Sequence, residues 1–129
     1  MLVKGFMIMK LFVLLGSLNA FLSVALGAFG AHYLKTKIPD KIDVFQTGVH
    51  YHMIHAVALL VIAVLYEKLG NQSMVNASGW AIFIGIILFS GSLYALSLTG
   101  LKIFGPITPL GGLSFLVGWI LLALAAIKS

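Results

Sequence analysis

The chain has 129 residues, 61% of them apolar and only 9% charged, with eight Lys, two Asp and one Glu giving a net charge of +5. A soluble domain carries about 25% charged residues, so the composition argues against a soluble enzyme, a disordered chain and a nucleic-acid-binding domain. With no cysteine in the chain, thiolate nucleophiles, thiolate metal sites and disulfides are excluded.

The charges are confined. None falls in residues 11–34, 44–66, 69–101 or 103–127. A helix needs about 20 apolar residues to cross a hydrocarbon core of ~30 Å. Each interval therefore supports one crossing, and none supports two. The prediction is an all-α integral membrane protein, with four transmembrane helices in a compact bundle and one domain over residues 1–129.

The first predicted span covers residues 11–31. Lys4 and Lys10 ahead of it imitate a secretory signal, and Ala28-Phe29-Gly30-Ala31 offers small residues for cleavage. The apolar run is longer than the about 7–15 residues of a signal core and holds Asn19, so it reads as a retained span. The following linker is polar, with Lys35, Lys37, Asp40, Lys41 and Asp43. Pro39-Asp40 reads as a helix start, continued by Ile42, Phe45 and Val49 into a second span at 44–66. From Asp40 to Tyr66 the helix would be about 40 Å long, which calls for tilt or for a bend near Gly48. A turn at Gly70-Asn71 precedes the third span, at 77–98. Gly105-Pro106 and Pro109 interrupt the backbone, so the fourth span is placed at 109–127 and residues 103–108 are expected to be irregular. Lys4, Lys10, Lys68 and Lys128 lie on one side, and Lys35, Lys37, Lys41 and Lys102 on the other. The positive-inside rule is tied, and the orientation stays open.

Small residues recur at helical spacing. The first span places Gly16, Asn19, Ser23, Gly27 and Gly30 at steps of three or four. The third places Ser78, Gly85, Ser92 and Thr99 at steps of seven, and the fourth does the same with Gly111, Gly118 and Ala125. In lipid, such faces drive close helix packing. Gly16, Ser23, Gly27, Gly30, Ser78, Gly85, Gly111 and Gly118 are accordingly read as packing residues. The competing reading is a substrate or ion path lined by Asn19, Ser23, Ser90 and Ser92.

The titratable groups inside the spans are histidines. His52 and His55 share a helix face, whereas His50 points away from His55, so the three do not converge on one ion. The carboxylates Asp40, Asp43 and Glu67 all sit at span ends. No metal or cofactor is assigned. An ionisable residue inside the membrane is a functional candidate by default, and the candidate polar site comprises His32, His52, His55, Asn19 and Ser92. His55 is expected to point inward and to meet a hydroxyl, amide or carbonyl of span 1, 3 or 4. Trp80, Trp119 and the tyrosines read as interfacial anchors or packing residues.

These features fit a small binding or transport-type membrane protein with no enzymatic activity. Its partners are the lipid bilayer and further copies of itself, because four short helices enclose little volume; nucleic acid is not among them. The alternative is a structural partner whose small-residue faces receive helices of other proteins. A metal-dependent membrane enzyme ranks last, for want of buried carboxylates.

Four stretches carry a resemblance. They are Ala25-Leu26-Gly27-Ala28-Phe29-Gly30-Ala31-His32, Tyr51-His52-Met53-Ile54-His55-Ala56, Phe89-Ser90-Gly91-Ser92-Leu93-Tyr94, and Thr108-Pro109-Leu110-Gly111-Gly112 leading to Gly118-Trp119. Together, and colinear from about Leu11 to Ile127, they resemble the family of small YwdK-like membrane proteins known as domain of unknown function 423. The resemblance implies four spans, a multi-pass place in the bacterial plasma membrane and no signal cleavage. His32, His52 and His55 match its motifs and His50 does not. It implies no substrate, reaction or cofactor.

Overall fold

The computed structural model describes residues 2–129. Four helices, each long and apolar enough to cross a membrane, make up nearly all of it. Helix α1 (Leu2–Phe29) continues through a π-helical turn at Gly30–Leu34 into a last short turn at Lys35–Lys37. Helix α2 is Ile42–Lys68. Helix α3 runs as Gln72–Gly85, a π turn at Ile86–Ser90, and Gly91–Thr99. A 3-10 turn at Lys102–Phe104 leads to α4 (Ile107–Ile127).

The helix ends follow local chemistry. Helix α1 begins well before residue 11, because Lys4 and Lys10 stay exposed on its surface and their aliphatic stems lie along the helix; the Lys10 ammonium is 5.4 Å from the Phe6 ring centroid. Pro39 and Asp40 form a turn and the helix starts at Ile42, with Asp43 in its first turn where the dipole favours a negative charge. Asn71 caps α3, its side chain accepting the Met74 N–H at 3.2 Å. Gly100, in the left-handed region at φ 72°, ends that helix. Pro106 and Pro109 bracket the first turn of α4, where a missing N–H costs nothing. Residues 103–108 are therefore a regular turn and a helix start.

Helix α1 packs along α2 and α3 along α4, and α2 and α3 join the two hairpins. Among the described residues, helices α1 and α4 make no substantial contact with each other, so they occupy the outer corners. The main core gathers Phe12, Leu59, Ile62, Val75, Ile82 and Phe115, and a smaller one gathers Leu34, Phe45 and Val49. The outer faces of α1 and α4 expose Leu14, Phe21, Leu113 and Ile120, as lipid-facing surfaces do.

The small residues lie where helices approach. A Cβ on Gly16 would come within 2.9 Å of Leu60 and 3.0 Å of the Ala56 carbonyl. On Gly27 and Gly30 it would meet Val49 and Phe45 at 3.2 and 2.9 Å, so all three glycines face α2. A Cβ on Gly85 would lie 2.6 Å from Phe115 Cε1, on Gly111 2.7 Å from the Leu88 backbone, and on Gly118 2.8 Å from Ile82. These seat α3 on α4. Ser23 and Ser78 are fully buried and donate to the carbonyls of Ala20 and Val75 in their own helices. Gly79, which no repeat had singled out, receives the Phe12 ring of α1.

At one end of the bundle Gly5 faces Tyr66, and Ser129 lies against Gly70. The start of α1 thus meets the last turn of α2, and the end of α4 meets the α2–α3 turn.

Candidate functional site: two histidine junctions at mid-span

Helix α2 carries His52 and His55 near its middle, one turn apart and both buried. A rotation of about 60° separates positions i and i+3. That is enough to send the two rings to different neighbours.

His52 joins three helices. Its Nε2 is 2.8 Å from Asn19 Oδ1 of α1, and its Nδ1 is 2.9 Å from the Tyr94 hydroxyl of α3. The Asn19 amide donates to the Leu15 carbonyl at 2.8 Å, which leaves Oδ1 as an acceptor. His52 therefore donates from Nε2–H, and the Tyr94 O–H donates to its Nδ1. Asn19, His52 and Tyr94 thus form one relay of hydrogen bonds across α1, α2 and α3.

His55 turns toward α4. Its Nδ1 is 2.7 Å from the Tyr51 carbonyl, an acceptor only, so Nδ1 carries the proton. Its Nε2 accepts the indole N–H of Trp119 at 3.0 Å. The expected inward ring is found, but its partners are an indole and a carbonyl of its own helix. The imidazole stacks on Phe115, with centroids 3.6 Å apart and planes 10° from parallel. Phe89 stands 5.5 Å from Phe115 and 4.6 Å from Tyr51.

This aromatic cluster walls a groove of about 510 Å³ lined by Tyr51, His55, Phe89, Pro109, Gly112, Leu113, Phe115, Leu116 and Trp119. Its lining is overwhelmingly apolar. Trp119 is 42% exposed and Tyr51 40%, so the groove opens at the outer, lipid-facing surface.

The remaining candidate residues lie elsewhere. Ser92 bonds to Thr108 at 2.6 Å and to the Phe89 carbonyl at 2.9 Å, tying α3 to the start of α4. Ser90 donates to the Gly48 carbonyl at 2.8 Å. Asn19, Ser23, Ser90 and Ser92 are thus engaged in separate contacts. His32 is exposed at the end of α1 and joins neither junction, and His50 is exposed as well. Among the described residues, no three His, Asp or Glu side chains group as a metal site would need. The residues that sequence reasoning missed are Tyr94, Trp119, Tyr51, Phe115 and Thr108. The available signal was that a buried imidazole must fill both nitrogens, and that few side chains in spans 3 and 4 can donate to a ring.

Residues 26–112 match the family described as "Protein of unknown function (DUF423)". The chain is 55% identical over 121 residues to UPF0382 membrane protein YwdK of Bacillus subtilis, an alignment covering 93% of this chain and 98% of that relative. It is 52% identical to UPF0382 membrane protein SAB0533 of Staphylococcus aureus, again over 93% and 98% of the two chains. A UPF0382 membrane protein of Staphylococcus epidermidis is 47% identical, with the same shares covered. No solved structure matches the chain.

Proposed function

We propose, for a chain that belongs to the DUF423 family of membrane proteins, a non-catalytic role: it binds a lipid-soluble ligand that reaches the groove between α2 and α4 sideways from the bilayer. The observation that carries this reading is the groove itself, at mid-span, open outward, with His55 and Trp119 in its wall. Ligand sites are concave, mostly apolar and supplied with a few polar groups. Here the aromatic faces suit a flat ring, and the Tyr51 hydroxyl supplies a donor for an acceptor oxygen on it. His55 has both nitrogens occupied. It serves as a wall of the site, not as an acid or base, which supports a binding protein over an enzyme.

The bacterial relatives and the all-helical spans support a plasma-membrane location. A homo-oligomer belongs to the same proposal, since a second copy beside the groove would supply its missing wall. The assembly-partner reading has less to rest on, because the small residues already receive this chain's own helices.

The test uses a Trp80→Phe variant, which leaves Trp119 as the single tryptophan, titrated in detergent with a short-chain 1,4-naphthoquinone. Saturable quenching of Trp119 is expected. A Cβ on Gly112 meets nothing closer than Phe89 at 3.8 Å, so Gly112→Leu fills the groove without forcing helices apart. It should abolish saturation and keep the melting midpoint. Linear quenching, equal in both variants, would contradict the proposal.

A further inference from the structure

The groove between α2 and α4 extends beyond His55 and Trp119. On α4 its lining runs from Pro109, in the first turn, to Trp119, near the middle of the helix. At ~1.5 Å per residue that is about 15 Å, the depth of one leaflet of a ~30 Å hydrocarbon core. The two halves differ in what they leave unspent. The half at mid-depth is walled by His55, Phe115, Leu116 and Trp119, and there both imidazole nitrogens and the indole N–H are already paired. The half toward the membrane surface is walled by Tyr51, Phe89, Pro109 and Gly112. There the Tyr51 carbonyl is committed to His55, and its hydroxyl to nothing among the described residues.

Gly112 lies in that second half, and helix packing does not account for it. Gly111 and Gly118 seat α3, because a Cβ would run into the Leu88–Phe89 backbone at the first and into Ile82 at 2.8 Å at the second. On Gly112 a Cβ would make only an ordinary contact, with the Phe89 ring at 3.8 Å. Glycine weakens a helix interior relative to alanine, so the bare backbone is explained by what lies over it in the groove. The Phe89 ring beside it stands 4.6 Å from the Tyr51 ring. A flat ring packs well against such aromatic neighbours, and a carbonyl oxygen on it accepts a hydrogen bond from the Tyr51 hydroxyl. We infer, on the reading of the groove as a ligand site, that its occupant is a flat-ringed amphiphile lying along the membrane normal. The ring sits over Gly112 with its carbonyl oxygen on Tyr51, and an apolar tail runs past Leu116 and Trp119 toward the bilayer centre. Gly112 and Tyr51 select the ring, and Leu116 meets the tail.

The experiment changes one end of the groove at a time. The full chain with Trp80→Phe is reconstituted into vesicles and titrated with a 1,4-naphthoquinone bearing either a methyl group or a geranyl tail. Affinity is read from Trp119 quenching and expressed per mole of lipid. Both ligands are expected to saturate. Tyr51→Phe and Gly112→Ala should each weaken both ligands at least fivefold, because both change the seat of the ring. Leu116→Phe should weaken the geranyl ligand at least threefold and leave the methyl ligand unchanged. Leu116 is 61% exposed and Tyr51→Phe keeps the ring, so the melting midpoint should hold in all three variants. Weakening of the methyl ligand by Leu116→Phe, with none by Tyr51→Phe, would put the ring at mid-depth and overturn the inference while the groove still binds. An unchanged geranyl affinity in Leu116→Phe overturns it too, by leaving the tail in the lipid. Saturation by neither ligand in the unaltered groove would overturn the ligand-site reading itself, and this inference with it.

Discussion

His52 and His55 lie one turn apart on α2, and their hydrogen-bond partners place the ring proton on opposite nitrogens. His52 faces an acceptor at Nε2, since Asn19 Nδ2 is committed to the Leu15 carbonyl. His55 faces a carbonyl at Nδ1 and a donor at Nε2. In a His32→Gln/His50→Gln variant, nitrogen NMR of ring-labelled protein should show one Nε2–H and one Nδ1–H imidazole. Two rings in the same tautomer would contradict the assignment. The sequence made both residues legible as candidates, because an imidazole inside a charge-free run stands out. It could not separate them: shared-face reasoning groups positions i and i+3, while their 60° offset decides which neighbour each ring reaches. Trp119 was equally hidden. An indole in an apolar helix reads as a lipid anchor, and nothing along α4 reveals that its N–H meets a ring on α2.

At the scale of elements, the small-residue faces decide how closely helices approach, and one of them also sets the groove. Gly85 of α3 receives the Phe115 ring of α4. The same ring stacks under His55 at 3.6 Å. Gly85→Leu should displace Phe115, loosen the α3–α4 pair and disturb the groove wall together. Overpacking costs about 1–3 kcal/mol, so the unfolding midpoint in detergent should fall by a matching amount. Gly112→Leu, on α4 where a Cβ meets nothing closer than Phe89 at 3.8 Å, should cost close to nothing. Equal midpoints for the two variants would remove the packing argument. The seven-residue steps of Ser78, Gly85 and Ser92 carried this face in the sequence, because repetition survives without knowledge of the partner. The π turn at Ile86–Ser90 was not legible. It adds a residue to one turn without a Pro to mark it, and it carries Phe89 into the groove and Ser90 Oγ to the Gly48 carbonyl.

For the whole molecule, the charge-free intervals announced four crossings, since each lysine or carboxylate inside hydrocarbon is expensive. The helix ends were less legible. Lys4 and Lys10 looked like a boundary, yet α1 runs through both, because long basic side chains reach the interface from within a helix. The arrangement of neighbours came from packing alone: sequential hairpins joined by α2 and α3, with α1 and α4 at the outer corners. That arrangement leaves the α2–α4 groove facing the bilayer near mid-depth, which is the central claim. The most direct measurement is the fluorescence of Trp119 in the Trp80→Phe variant, reconstituted into vesicles of lipids brominated at the middle of the acyl chain. Strong quenching by the brominated chains, with little by aqueous iodide, is the predicted result. Strong quenching by iodide with none by the brominated chains would place the groove in water and contradict the account.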